Sequence, residues 1–390
     1  MKVLVVHNRY RSEQPSGENQ VVDAETALLR SAGVRVRRFE RYSDDIASMP
    51  LARKALVPVR VPWNRSARAE LRAQLEIERP DVVHVHNTFP LLSPSVLAAC
   101  ADAHVPVVAT LHNYGLVCPP GTLYRDGRIC TDCVGGAPLP AVRHGCYRDS
   151  TAATVPMAVN LLVNRARWQN TVTRFFCISE AQRRLLVDAG LPAERMTVKH
   201  NFVPDTGRQR AGAGEHLLFL GRLTEEKGIP LLKAAWEQYT GKLPLLIAGT
   251  GPLSDDVAAW ADGRDDVAYL GLQDRASCQE LIARAAAVVV PSTWLEAFGL
   301  VVVEAMAAGV PTVAPAHGAF EELVTDGGLL HAPGDAGSLA AALNDVLDPV
   351  RNEQMGEAAR RRYEADFTPE VGLNRLIDGY QEAISAACAV

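Results

Sequence analysis

The chain has 390 residues, a formal net charge of -5, and 48% apolar against 22% charged residues. That length exceeds what one hydrophobic core usually supports and points to two domains; the composition excludes a disordered chain, and the near-balanced charge gives no basic field for nucleic acid. No apolar run approaches the roughly 20 residues that cross a bilayer, and Met1 to Val6 enters a strand-like run with neither the long apolar core nor the cleavage site of a signal peptide, so the cytoplasm is the expected compartment.

Short apolar runs at Val3 to Val6, Val34 to Val36, Val82 to Val85, Val105 to Leu111 and Phe175 to Ile178 predict buried strands. Between them Glu18 to Arg30, Ser66 to Glu78 and Glu180 to Asp188 carry apolar residues at helical spacing, which makes the pattern βαβ with a parallel sheet. The periodicity lapses from Pro204 to Gly214, a linker-like stretch, and a second series follows: Leu217 to Leu220, Leu245 to Ala248, Val267 to Leu270, Val288 to Val290 and Thr312 to Ala314. The expected organisation is a first Rossmann-like domain over 1–205 with a Cys-rich insertion at 114–150, and a second over 214–368. A helical tail over 369–390 must pack on something already built, with the first domain as the candidate. Two doubly wound α/β sheets of this kind bind ligands in the crevice at their carboxyl strand ends.

The motifs follow in chain order. Pro15-Ser16-Gly17-Glu18-Asn19 lies between the first strand and helix, where Gly17 lets backbone approach a phosphate or acceptor, or simply begins a capped helix. Arg53, Lys54, Arg60, Arg65, Arg68 and Arg72, interleaved with Leu, Val and Trp63, make either a solvated face or a contact for anionic lipid or a phosphorylated acceptor. His84 and His86 alternate on a strand and read as packed or hydrogen-bonded core residues.

Four of the eight cysteines, Cys118, Cys130, Cys133 and Cys146, crowd into a Gly- and Pro-rich stretch. Four thiolates with one C-x2-C pair suit a structural zinc that would staple the loop; an iron–sulfur cluster, or disulfides in an oxidising compartment, use the same residues. Ser179-Glu180 opens a helix as a cap would. In the second half, the segment Pro291 to Leu300 follows a strand and opens a helix carrying Glu304, so its glycine-containing turn places backbone N–H groups at an anion site. A carboxylate at Glu304 accepts hydrogen bonds from two ribose hydroxyls.

Glu296-x7-Glu304 resembles the signature of retaining GT-B glycosyltransferases, particularly the family 4 group. Gly221-Arg222, Glu226-Lys227-Gly228, Ala248-Gly249-Thr250-Gly251-Pro252 and Gly309-Val310-Pro311 occur in the order that family shows. The resemblance implies that Arg222 and Lys227 grip the diphosphate. Two cations beyond a strand end neutralise a leaving pyrophosphate on physical grounds as well. It further implies that Glu304 binds the ribose, that Glu296 and the backbone of Phe298, Gly299 and Leu300 contact the sugar or phosphate, and that Gly249 and Gly251 belong to the donor site. His112, in Thr110-Leu111-His112-Asn113-Tyr114, matches a histidine that faces the donor sugar and donates a hydrogen bond to a hydroxyl. Asn201 matches a contact position, but Phe202 stands where the family has a small residue.

The implied reaction is retaining transfer of a hexose or N-acetylhexosamine from a nucleotide diphosphate sugar, UDP first among GDP and ADP, to a hydroxyl of a glycan, lipid-linked or small-molecule acceptor. Catalysis needs no metal in this reading, because cations and helix N-termini take its place. Rival readings are a nucleotide-sugar sensor with a metal or redox Cys cluster, and a GT-B epimerase or phosphorylase.

Overall fold

The structure is a computed structural model that describes residues 1–12, 16–210 and 212–388, with only the backbone of Cys388. It divides into two compact units, Met1–Leu123 with Thr131–His200 and Gly372–Val390, and Tyr124–Cys130 with Asn201–Val371.

In the first unit β1 (Lys2–Arg9), β2 (Arg35–Tyr42), β3 (Val82–Asn87) and β4 (Val107–Leu111) precede a small hairpin, β5 (Tyr124–Arg125) and β6 (Arg128–Ile129), which groups with the second unit; β7 (Val172–Cys177) and β8 (Met196–Val198) complete the first. The expected insertion 114–150 is therefore not one piece of the first unit. The hairpin turns on Asp126-Gly127, both at positive φ, 53° and 75°, the mirror-image turn that matches strand twist. The main sheet is parallel in the order β2-β1-β3-β4-β7-β8. Its central strands are buried on both faces, which is why they read as unbroken apolar runs. The second strand runs to Tyr42, well past the expected Val36. It lies at the sheet edge and buries Val36 and Phe39, one on each face, and the charged residues beside them, Arg35, Arg37, Arg38, Glu40 and Arg41, hide the strand from an apolar-run criterion.

The helix Gly17–Ser31 starts at Ser16, whose Oγ accepts from the Asn19 amide at 3.3 Å. Its inward stripe is Val21, Val22, Glu25, Thr26 and Leu29, so a carboxylate enters the interior at a position where helical spacing calls for an apolar side chain. The C-terminal helix Pro369–Cys388 places Leu376, Tyr380 and Ala383 in the same core as Val3, Val5, Val82, Val108 and Phe176.

In the second unit β9 (His216–Leu220), β10 (Leu245–Ala248), β11 (Val267–Gly271), β12 (Ala285–Val289), β13 (Thr312–Pro315) and β14 (Gly328–His331) form another parallel sheet, ordered β11-β10-β9-β12-β13-β14. The strand order reverses between β9 and β12, the switch point at which such sheets open a crevice. Leu217, Phe219, Ile247, Val289 and Val313 meet the helices Ile229–Trp236 and Ala336–Asp345 in the core. The stretch expected as a linker is fastened to the second unit: Asp205 pairs with Arg360 at 2.5 Å, Arg208 with Glu280 at 2.7 Å, and Arg210 N–H donates to Ala308 O at 2.8 Å. Among the described residues no helix is long and apolar enough to cross a membrane.

Candidate functional site

At the switch point of the second sheet the loops after β9, β10 and β12 are stitched together. Leu223 N–H donates to Thr250 O at 3.1 Å, Leu253 N–H to Leu223 O at 3.0 Å and Thr293 N–H to Glu226 O at 3.0 Å. Gly228 stands at φ 79°, where a Cβ would lie 1.9 Å from Pro291 O; Gly249 and Gly251 leave no room for a Cβ against Gly221 O (1.8 Å) and Leu223 O (2.4 Å). The first requirement on Gly249 and Gly251 is thus loop-to-loop approach, a packing reason that their expected donor role did not include.

The stitching brings two of the expected residues together. Lys227 forms an ion pair with Glu296 and stands 5.3 Å over the Trp294 ring. Glu296 Oε1 also accepts from Trp294 Nε1 at 3.2 Å and Ser292 Oγ at 3.4 Å, so Glu296 first of all holds Lys227 in place. Burial pushes the Glu296 carboxyl up, but the adjoining ammonium and these donors outweigh it and leave the group below the usual carboxylate range. Arg222 stays at the surface, 47% exposed, 3.3 Å from Glu226.

Phe298 turns its ring inward onto Phe367, with centroids 6.1 Å apart, leaving only its backbone for a ligand. Gly299 caps the helix Leu300–Ala307; Val302 N–H donates back to Gly299 O at 3.0 Å, and the N–H groups of Leu300 and Val301, with no helical carbonyl to bond, suit an anion. Glu304 lies in that helix. Burial raises its carboxyl to about 7, with Arg275 opposing.

The first unit holds a cavity of about 440 Å³ lined in part by Tyr10, Asn87, His112, Asn113, Tyr147 and Arg148. His112 Nε2 sits 3.0 Å from His86 Nδ1 with the rings stacked at 5.3 Å. His84 is locked by Tyr380 OH at Nδ1 and Thr110 Oγ1 at Nε2, both at 2.7 Å. Burial lowers all three imidazoles well below their ordinary value. Gly17 is the first residue of its helix; Pro15 lies outside the described residues.

Several buried groups escaped the sequence reading. Lys199 and Glu25 form a fully buried ion pair, and His7 bonds Asn19 Oδ1 at 2.8 Å beside Glu18, whose carboxyl burial raises to about 8. Glu25, His84 and His86 bring ligand atoms within 4.8 Å of one another. Both His84 nitrogens and one Glu25 oxygen already have partners, so the group does not suit a metal.

The four cysteines make no comparable group among the described residues. None is in a disulfide, and burial pushes the Cys118 thiol up to about 11. A zinc tetrahedron needs sulfurs about 4 Å apart. No chemistry is routed through the four cysteines.

Two Rossmann-like parallel-sheet units in one chain are the GT-B architecture. The chain belongs to glycosyltransferase family 4, with residues 16–206 matching the model described as Glycosyltransferase Family 4 and residues 208–362 that described as Glycosyl transferases group 1. It is 32% identical over 304 residues to glycogen synthase of Mycobacterium tuberculosis, an alignment spanning 74% of this chain and 66% of that protein. It is 27% identical to phosphatidyl-myo-inositol mannosyltransferase of Mycobacterium leprae over 91% of each chain. Among solved structures, HepE of Anabaena in complex with UDP-glucose superposes with a TM-score of 0.66 at 18% identity, covering 99% of this chain and 100% of that one.

Proposed function

We propose that this protein transfers a hexose or N-acetylhexosamine from a nucleotide diphosphate sugar, UDP-linked in first preference, to a hydroxyl acceptor with retention of anomeric configuration. The observation that carries the reading is the Lys227–Glu296 pair among the stitched loops of the second sheet, with the helix start at Gly299 and the Glu304 carboxylate completing the donor-binding set. Lys227 and the helix N–H groups stabilise the charge on the departing diphosphate, Arg222 swings in from the surface to join them, and Glu304 takes the ribose hydroxyls. No metal is needed for this step. The departing phosphate oxygen accepts the proton of the incoming hydroxyl on the same face, which gives retention. UDP is preferred because HepE, of the same fold, binds UDP-glucose.

The test is to incubate purified protein with UDP-, GDP- and ADP-sugars, with and without acceptor hydroxyls, following nucleotide release and the anomeric configuration of the product by NMR. Acceptor-dependent release with a retained anomer is expected. No release from any donor, or a new sugar nucleotide formed without acceptor, overturns the reading.

The acceptor reading extends to lipid-linked hydroxyls at an anionic membrane face. The helix Leu51–Arg60 buries none of its residues; Leu51 and Val59 are 83% and 70% exposed beside Arg53, Lys54 and Arg60. Arg68 and Arg72, by contrast, are engaged by Asp102 and Glu76. An apolar edge flanked by cations fits the interface of anionic lipid. Cosedimentation with phosphatidylglycerol vesicles is expected to fall about tenfold or more in R53E/K54E. Equal binding to neutral vesicles removes the membrane part.

A further inference from the structure

A line of buried polar side chains crosses the first unit and ends at the cavity. Lys199, next to β8, pairs with Glu25 of the helix Gly17–Ser31 through Oε1. Glu25 Oε2 has no hydrogen-bond partner and stands 3.8 Å from His86 Nε2, at the end of β3. His86 Nδ1 then meets His112 Nε2 at 3.0 Å. His112 lines the cavity, and no described residue partners its Nδ1.

Two neutral imidazoles share one contact of this kind in only two ways. If His86 donated through Nδ1, its bare Nε2 would face the carboxylate of Glu25, two acceptors with no proton between them in a site closed to water. If His86 carries its proton on Nε2, that N–H faces the carboxylate, Nδ1 accepts from His112 Nε2–H, and His112 Nδ1 is left bare. The second arrangement turns an N–H rather than a second lone pair toward Glu25 Oε2, a favourable charge–dipole contact at 3.8 Å that is too long for a hydrogen bond, and the first turns a lone pair there. His84 does not disturb the choice, because Tyr380 and Thr110 hold both of its nitrogens.

We infer that Glu25, anchored by Lys199, is a positioning residue that sets the tautomer of His86 and through it makes His112 present an unprotonated Nδ1 to the cavity, where it accepts a hydrogen bond from a sugar hydroxyl. This reverses the direction expected from the sequence, in which His112 donates. The sugar hydroxyl rests on the transferase reading; the tautomer does not. Acceptance favours a ligand with a hydroxyl at that place over one with an ether or carboxylate, since neither of those has a proton to give.

The test is long-range proton–nitrogen correlation NMR on protein labelled with nitrogen-15 at histidine, with the His112 signals assigned through His112→Gln. In the unmutated protein His112 is expected to show a bare Nδ1 and a protonated Nε2. In Glu25→Gln the Lys199 ammonium retains the amide oxygen, so the NH₂ turns toward His86 Nε2. That nitrogen must then accept, His86 donates through Nδ1, and the His112 proton moves to Nδ1. The variant is expected to lose about 10–100-fold in turnover with the donor KM little changed, as when a supporting group loses control of a tautomer.

A protonated Nδ1 on His112 in the unmutated protein overturns the inference whether or not Glu25→Gln folds. An unchanged tautomer in folded Glu25→Gln overturns it too. The predicted tautomer, reversed in Glu25→Gln, supports the relay even in a protein that releases no nucleotide, an outcome that sinks the transferase reading alone.

Discussion

Lys227→Met lowers acceptor-dependent nucleotide release by about 10²–10³-fold, the scale of losing one preorganised charge stabiliser. The loss has two parts that a second variant separates. Removing the ammonium takes away one of the two cations proposed to meet the diphosphate. It also strands Glu296, only 8% of whose side chain is exposed, with Trp294 and Ser292 as its remaining donors. A buried carboxylate stripped of its partner costs about 3–5 kcal/mol when it stays charged, and Glu296 escapes part of that by taking up a proton. Urea unfolding at pH 7 is therefore expected to show Lys227→Met markedly destabilised. The double variant Lys227→Met/Glu296→Gln regains most of that stability, because a neutral amide replaces the stranded charge, and regains none of the turnover. Full turnover in a folded Lys227→Met protein would remove Lys227 from the reaction; recovery of turnover in the double variant would mean that Glu296, not the diphosphate, is what Lys227 serves.

The parts of the site that could be read in advance are those built from one continuous segment. Glu296, Gly299 and Glu304 lie within a strand-to-helix turn whose local pattern shows both ends, and Gly221-Arg222 with Lys227-Gly228 marks another such turn. That the two turns are stitched, so that Glu296 grips Lys227 from 69 positions away, depends on β9 and β12 being neighbours, which is topology. Glu25 was hidden for the same reason. On its helix it reads as one more surface acid, and its partners, Lys199 just past β8 and His86 on β3, are brought beside it only by the sheet order. The edge strand Arg35–Tyr42 was hidden by its arginines, because an edge strand that buries only Val36 and Phe39 has no apolar run. The cysteines are legible only as a spacing: C-x2-C is a local pattern, whereas a metal site needs sulfurs converging from separate turns, which spacing alone does not show.

Glu304→Gln is expected to stabilise the ligand-free protein at pH 8 by up to roughly 3 kcal/mol and to weaken donor binding about 10–100-fold. Burial in the helix Leu300–Ala307 holds the Glu304 proton up to about pH 7, whereas an ordinary glutamate releases it near 4.5. Between those values the native state binds the proton and the unfolded chain does not, so stability falls as pH rises through the window and is level above it. Glutamine has no proton to lose and no such slope. The difference in urea unfolding free energy between wild type and variant should therefore be small at pH 5 and reach its maximum by pH 8, which isolates Glu304 from every other titrating group. Binding has the opposite dependence. A ribose offers two hydroxyl donors, which an ionised carboxylate accepts and a protonated one meets with a competing O–H. Nucleotide affinity of the wild type should rise from pH 6 to 8 as the bound state draws the proton off, while Glu304→Gln stays weak and flat. The instability of an empty, ionised Glu304 is then the cost of a carboxylate kept ready in a largely desolvated position, and a donor relieves it by supplying hydrogen bonds. A variant that gains no stability at pH 8, or a wild-type affinity that is flat with pH, would separate Glu304 from the ribose.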